Sequence, residues 1–152
     1  MTFRISSPAF ENGAAIPEQY TKDGGNSSPP LEWTGVPRGT RSFALVVEDP
    51  DAPLSSFWHW GIYNIPADRT GLNEAEDLSA VGRSINGFGN NGYDGPRPPQ
   101  GHGAHHYHFR LAALDTDRLT DVLENATATA VWDEALRHVV EEADLVGTYE
   151  TK

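Results

Sequence analysis

The sequence predicts a mainly β domain of the α+β class, in which an antiparallel sheet carries its helices gathered on one side. Two patterns predict this. Residues 1–115 hold short apolar or alternating runs bounded by Gly, Pro, Asn and Asp, whereas residues 116–152 hold apolar residues at helical spacing. A third observation concerns size. The 152 residues contain no Ser/Gly linker, and a chain of this length buries roughly two-thirds of its unfolded surface, so 1–152 is expected to form a single domain around one core. With 38% hydrophobic and 22% charged residues, and with 15 Gly and 11 Pro, the composition is that of a loop-rich globule rather than a disordered chain.

In chain order, strands are expected at Phe3 to Ser6, Arg41 to Glu48, Trp60 to Ile65, His105 to Leu114 and Leu145 to Tyr149. Phe43-Ala44-Leu45-Val46-Val47 is apolar throughout, the mark of a central strand covered on both faces. Leu119, Val122, Leu123 and Ala126 recur at helical spacing, as do Trp132, Ala135, Leu136, Val139, Val140 and Ala143. They predict two amphipathic C-terminal helices packed on the sheet. No internal repeat is visible.

Composition also excludes functions. A formal net charge of −11 leaves no basic patch for a phosphate backbone, so nucleic acid is not an expected partner. The only lysines are Lys22 and Lys152; such a carboxylate-rich, lysine-poor surface fits either adaptation to salt or a biased base composition. The absence of cysteine removes disulfides and thiolate chemistry. No apolar run approaches the ~18 residues of a membrane span, and Met1-Thr2-Phe3-Arg4-Ile5 lacks the apolar stretch of a signal peptide, so a soluble, cytoplasmic protein without integral membrane association is expected. The six histidines lack an H-E-x-x-H arrangement or a carboxylate at a matching offset, and neither a metal nor a cofactor is expected. Neither G-x-S-x-G nor a Walker-type glycine loop is present.

Two segments carry chemistry. Asp49-Pro50-Asp51-Ala52-Pro53 follows the apolar strand and precedes Phe57-Trp58-His59-Trp60. The prolines hold Asp49 at a strand end with little freedom. Asp49 and Asp51 read either as turn formers that accept backbone N–H groups or as carboxylates that orient His59, itself readable as a core histidine. The second segment is the Gly/Pro-rich stretch from Gly92 to Gly103, which runs into the strand starting at His105. Strand alternation places His105, Tyr107, Phe109 and Leu111 on one face and His106, His108 and Arg110 on the other. His105 and Tyr107 then point together, about 6.6 Å apart along the strand.

Taken in order, Asp49-Pro50-Asp51-Ala52-Pro53, His59-Trp60 with Asn64-Ile65-Pro66, and Gly95-Pro96-Arg97-Pro98-Pro99-Gln100-Gly101-His102-Gly103-Ala104-His105-His106-Tyr107 closely resemble the phosphatidylethanolamine-binding protein family, in its prokaryotic, Raf-kinase-inhibitor-like branch. The similarity extends from Ser7-Pro8-Ala9-Phe10 and Asn26-Ser27-Ser28-Pro29-Pro30-Leu31 to Leu145-Val146-Gly147-Thr148-Tyr149. The resemblance implies a large antiparallel sheet packed with a smaller one, an anion pocket at its edge, and a homodimer as the assembly often described for this branch. Asp49, His59, Pro98, Gly101, His105 and Tyr107 match the family's pocket residues. His106 departs from the family pattern, which has Arg between the His and the Tyr; alternation turns it outward, so an outer ion pair rather than the pocket is put in question.

The expected function is therefore non-catalytic binding of a small anion, a phosphate or phosphorylated head group. His59 and His105 would act as imidazole donors, Tyr107 as a hydroxyl, and Asp49 as an acceptor that orients a histidine or meets a ligand ammonium. Two other readings stand beside it. One is a regulator or inhibitor of a kinase or protease acting through a loop surface. The other is a phosphoester hydrolase using Asp49 and His59, which would need an activated water or a hydroxyl such as Ser55 or Ser56.

Overall fold

The computed structural model describes residues 2–152; Met1, part of the N-terminal stretch considered above, lies outside them. Eight strands and one α-helix follow in chain order: β1 (Arg4–Ser6), β2 (Leu31–Thr34), β3 (Ser42–Asp49), β4 (Phe57–Pro66), β5 (Gly71–Leu72), β6 (Gly82–Arg83), β7 (His105–Leu114), α1 (Ala128–Ala135) and β8 (Val139–Tyr149). All pairings between these strands are antiparallel. They form a five-stranded sheet of order β6-β4-β3-β7-β8 and a three-stranded sheet of order β1-β2-β5. As its unbroken apolar run predicts, β3 is the central strand of the larger sheet, and Phe43 to Val47 are buried on both faces.

The two faces of β3 explain the layers. Phe43, Leu45 and Val47 point toward the small sheet and pack with Phe3, Ile5, Leu31 and Trp33, joined from β7 by Tyr107, Phe109 and Leu111. Ala44 and Val46 point the other way, with Ala112 and Leu114 of β7, and meet Val131, Trp132 and Ala135 of α1. Small residues sit where the helix approaches most closely: a side chain at Gly61 of β4 would place its Cβ 2.9 Å from that of Ala128.

The C-terminal region corrects the expectation of two helices. Residues 119–127 are irregular: Leu119 is buried and its N–H donates to Asn64 Oδ1, but Leu123 is 81% exposed. Asn125 adopts a left-handed φ of 63°, and the backbone on either side of Thr127 is committed to Ile85, whose N–H and C=O bond Ala126 and Ala128. Only Leu119 of this segment is fully buried, so no continuous apolar face is there to hold a helix on the sheet. The second periodic set is divided. Thr127 caps α1 by accepting the Ala130 N–H at 3.2 Å, the helix stops at Ala135, and Val139 starts an eleven-residue strand instead of another helical turn. Ten residues of β8 pair with β7, and burial at Ala143, Leu145 and Gly147 follows a period of two. None of the described helices is long and apolar enough to cross a membrane.

Candidate functional site

The site lies at the end of the larger sheet where β3 finishes and β4 and β7 begin. Asp49 pairs with Phe57 across β3/β4, and Glu48 pairs with His108 across β3/β7. One irregularity matters. Val47 faces Trp60 and Glu48 faces Trp58, so His59 is the extra residue of a β-bulge. Strict alternation would put His59 and Trp60 on opposite faces; the bulge lets Trp60 join the inter-sheet core while His59 stays beside Tyr107, with ring centroids 5.2 Å apart.

The result is a cleft of about 120 Å³ lined by Asp49, His59, His105 and Tyr107 at its polar wall, with Ala52, Pro53, Phe57, Phe88, Pro98 and Pro99 around it and Arg97 contributing the cation. Asp49 performs both roles that the sequence left open. Its Oδ1 accepts the Asp51 N–H at 2.8 Å, closing a turn, and its Oδ2 accepts from His105 Nδ1 at 2.6 Å. The histidine it orients is thus His105 and not His59. On the other side of His105, Nε2 lies 2.5 Å from His102 Nδ1 and accepts its proton when the His105 ring is neutral, so an Asp49–His105–His102 chain backs one wall.

His59 takes its orientation from elsewhere. Its Nδ1 lies 2.9 Å from the main-chain carbonyl of Asp94, and since a carbonyl only accepts, Nδ1 carries the proton. Burial of the ring pushes its pKa below the usual histidine range, against the opposing pull of the Asp94 carbonyl and the Asp49 charge. With Nδ1–H turned to the carbonyl, Nε2 is the nitrogen left for the cleft, and in the neutral form that burial favours it presents a lone pair where a donor was expected. Asp94 is itself clamped. Lys22 Nζ and Asn26 Nδ2 donate to its Oδ1 at 3.3 and 2.9 Å, and Asn86 and Asn90 donate to its Oδ2, each at 2.8 Å. Burial opposes the Asp94 charge, but these amides and the ammonium outweigh it and hold the carboxyl at about 2. Tyr107 is the reverse case. Its hydroxyl is fully buried and has no hydrogen-bond partner among the described residues, and burial followed by the Asp49 charge drives its pKa far upward, so it remains a donor.

Of the residues singled out from sequence, Asp49, His59, Pro98, His105 and Tyr107 meet around the cleft, and Gly101 does not line it. Gly101 has a φ of +79°. It lets the loop turn so that the His102 N–H reaches Pro99 C=O at 3.1 Å and the ring returns onto His105. His106 faces outward and donates to Asp51 at 2.8 Å from both Nδ1 and its backbone N–H, so the outer contact to that carboxylate is made by histidine here. Sequence reasoning missed Asp94, Phe57, Phe88 and the role of His102. Phe57 was accessible through its i, i+2 relation to His59; the Asp94 clamp draws on Asn26, Asn86 and Asn90, whose positions show no local pattern.

Fold and cleft together define a two-sheet antiparallel β protein with a small preformed pocket at the end of its larger sheet. The family model for phosphatidylethanolamine-binding protein matches residues 6–150, and the chain belongs to that family. It is 44% identical over 152 residues to a UPF0098 protein of Methanothermobacter thermautotrophicus, covering 95% of this chain and 97% of that one. It is 39% identical over 163 residues to the UPF0098 protein YbcL of Escherichia coli, covering 99% and 88%. The crystal structure of E. coli YbcL, described as a member of the mammalian PEBP family, superposes over 100% of both chains with a TM-score of 0.93 and 34% identity. The homologue CT736 of Chlamydia trachomatis gives 0.90 and 34% over 99% of each chain. A carboxypeptidase Y inhibitor, solved with its cognate proteinase, shares the fold at a TM-score of 0.61 and 18% identity, over 99% of this chain and 83% of that one.

Proposed function

We propose that the protein binds the phosphate group of a small phosphorylated molecule in the cleft between His59, His105 and Tyr107, without chemical turnover. The observation that carries this reading is the Tyr107 hydroxyl. A buried O–H with no partner costs about 1–3 kcal/mol, and Tyr107 is one of the residues lining the cleft, so a phosphate oxygen seated against it would relieve that cost. At about 120 Å³ the cleft has roughly four times the ~30 Å³ share of a water molecule in the liquid. It lies below the ~300–1,000 Å³ of pockets that enclose drug-sized ligands. That volume suits a phosphate-sized group whose remainder lies along the prolines and phenylalanines at the mouth.

Two features favour binding over catalysis. Both Asp49 oxygens are committed, one to a turn N–H and one to His105, so neither is a base poised for water. Ser55 and Ser56 are not among the residues lining the cleft. Titration calorimetry with O-phosphoethanolamine tests the reading: the wild type should bind with one-to-one stoichiometry, and His59→Gln should weaken binding at least about fivefold while leaving the circular dichroism spectrum unchanged. Release of inorganic phosphate during the titration would favour the hydrolase instead.

A further inference from the structure

We propose that this pocket selects an oxyanion carrying its own proton, a phosphomonoester monoanion, over sulfate and over phosphodiesters. The inference rests on the phosphate-binding reading above and narrows its ligand class.

His59 Nδ1–H is consumed by the Asp94 carbonyl at 2.9 Å, so the ring edge left for the pocket carries the Nε2 lone pair. His105 offers no free N–H either, because Nδ1 serves Asp49 and Nε2 serves His102. Tyr107 supplies one O–H. His59, His105 and Tyr107 thus present one unpaired donor and one unpaired acceptor, while the largely exposed Arg97 guanidinium attracts any oxyanion alike. A monoester monoanion, ROPO₃H⁻, matches this: a P–O⁻ oxygen accepts from Tyr107 while its P–OH donates to His59 Nε2. Sulfate has the same shape but no proton above its low pKa, and a diester anion has none at all. Either would set an oxygen lone pair against the Nε2 lone pair of a ring that is only 3% exposed, unless the imidazole first took up a proton.

Uptake of that proton is opposed by the surroundings of His59. The ring is packed between Phe57 and Phe88, at centroid distances of 5.0 and 5.6 Å, and Tyr107, and burial lowers its pKa. The charged groups around it are Asp49 on β3, His105 on β7, and the Asp94 carboxylate on the Gly/Pro loop. Asp49 is shared with His105, and Asp94 is neutralised in place by Lys22 and three asparagine amides. Arg97 reaches the cleft from the loop but is largely exposed and lies 3.6 Å from Asp23. The same clamp that fixes Asp94 fixes the carbonyl holding the His59 tautomer, making Asp94 a positioning residue for ligand choice.

The test is calorimetric titration of the wild-type protein with methyl phosphate, dimethyl phosphate and sulfate at about pH 5.5, where a monoester with its second pKa near 6 is mostly the monoanion. Each titration is repeated in two buffers of different ionisation enthalpy to count protons. Methyl phosphate should bind at least about tenfold more tightly than either competitor and with uptake of no more than about a quarter of a proton, the share of dianion at that pH; sulfate should bind only with uptake of about one proton. Because sulfate matches phosphate in size, its rejection is not a matter of fit. A parallel pair, O-phosphoethanolamine against glycerophosphoethanolamine, separates a free monoester from a lipid head group, and the monoester should win by a similar factor. In His59→Gln, whose amide can donate or accept, the preference should shrink toward unity. Equal affinities for methyl phosphate and sulfate without proton uptake would overturn the proposal while leaving the phosphate pocket standing. So would tight binding of glycerophosphoethanolamine, which would give the donor role to the ligand ammonium. If none of the five compounds binds, the phosphate reading itself fails.

Discussion

Removing the Tyr107 hydroxyl relieves an unpaired buried O–H and deletes a ligand contact at once. Tyr107→Phe should therefore raise stability by up to about 1 kcal/mol, a rise of about 2–4 °C in Tm at this chain length, while weakening phosphate binding about tenfold. A melt and a titration on one preparation check this; a fall in Tm would mean that the hydroxyl is paired. Asp49 allows a second residue-scale test. Asp49→Asn places an amide beside His105 Nδ1, and when its NH₂ faces the ring that nitrogen must surrender its proton. The His105 tautomer should switch from Nδ1–H to Nε2–H, read from ring nitrogen shifts by NMR, and His59 should keep its own. That His105 and Tyr107 share a face was legible from strand alternation. The partner of His59 was not, because a main-chain carbonyl 35 residues away leaves no mark in the sequence.

Among the elements, the five strand expectations all fall on strands, and the apolar run of β3 foretold its central place. The C-terminal elements were misread for a physical reason. Val139, Val140 and Ala143 continue the helical spacing of α1, and the period of two that identifies β8 emerges only from Ala143 onward. The short strands β2, β5 and β6 were missed; β5 and β6 have two residues each, too few to carry a period. The irregular 119–127 segment yields a direct comparison. Leu119→Ala should cost about 2–5 kcal/mol as a buried truncation. Leu123→Ser, at 81% exposure, should stay within about 0.5 kcal/mol. Urea unfolding measures both, and comparable losses would restore an amphipathic helix. Thr127→Ala should cost about 1 kcal/mol through loss of the α1 cap.

For the whole molecule, stability should depend on acid in two steps of the same sign. His59 has its folded pKa below the free value, so the folded state resists its protonation and stability begins to fall as pH drops below about 6.5. Asp94, held at about 2, favours the fold above the ordinary carboxylate range near 4. Between there and pH 2 it should lose about 2 kcal/mol, the 1.36 kcal/mol per unit applied to its shift. Asp94→Asn should shrink the second step in a pH series of urea midpoints, leaving the part carried by Asp51, Glu76 and Asp77, whose carboxyls are also held below the ordinary range. The net charge of −11 adds a salt dependence: Tm should rise as the Debye length falls from about 10 Å at 0.1 M to about 3 Å at 1 M salt. The same charge repels an approaching anion, leaving local donors to carry recognition. The most direct measurement of that recognition is a crystal structure of the protein with O-phosphoethanolamine. A phosphate with oxygens about 2.6–3.0 Å from Tyr107 Oη and His59 Nε2 is the predicted result. A cleft holding only water, with the ligand bound elsewhere or not at all, would contradict it.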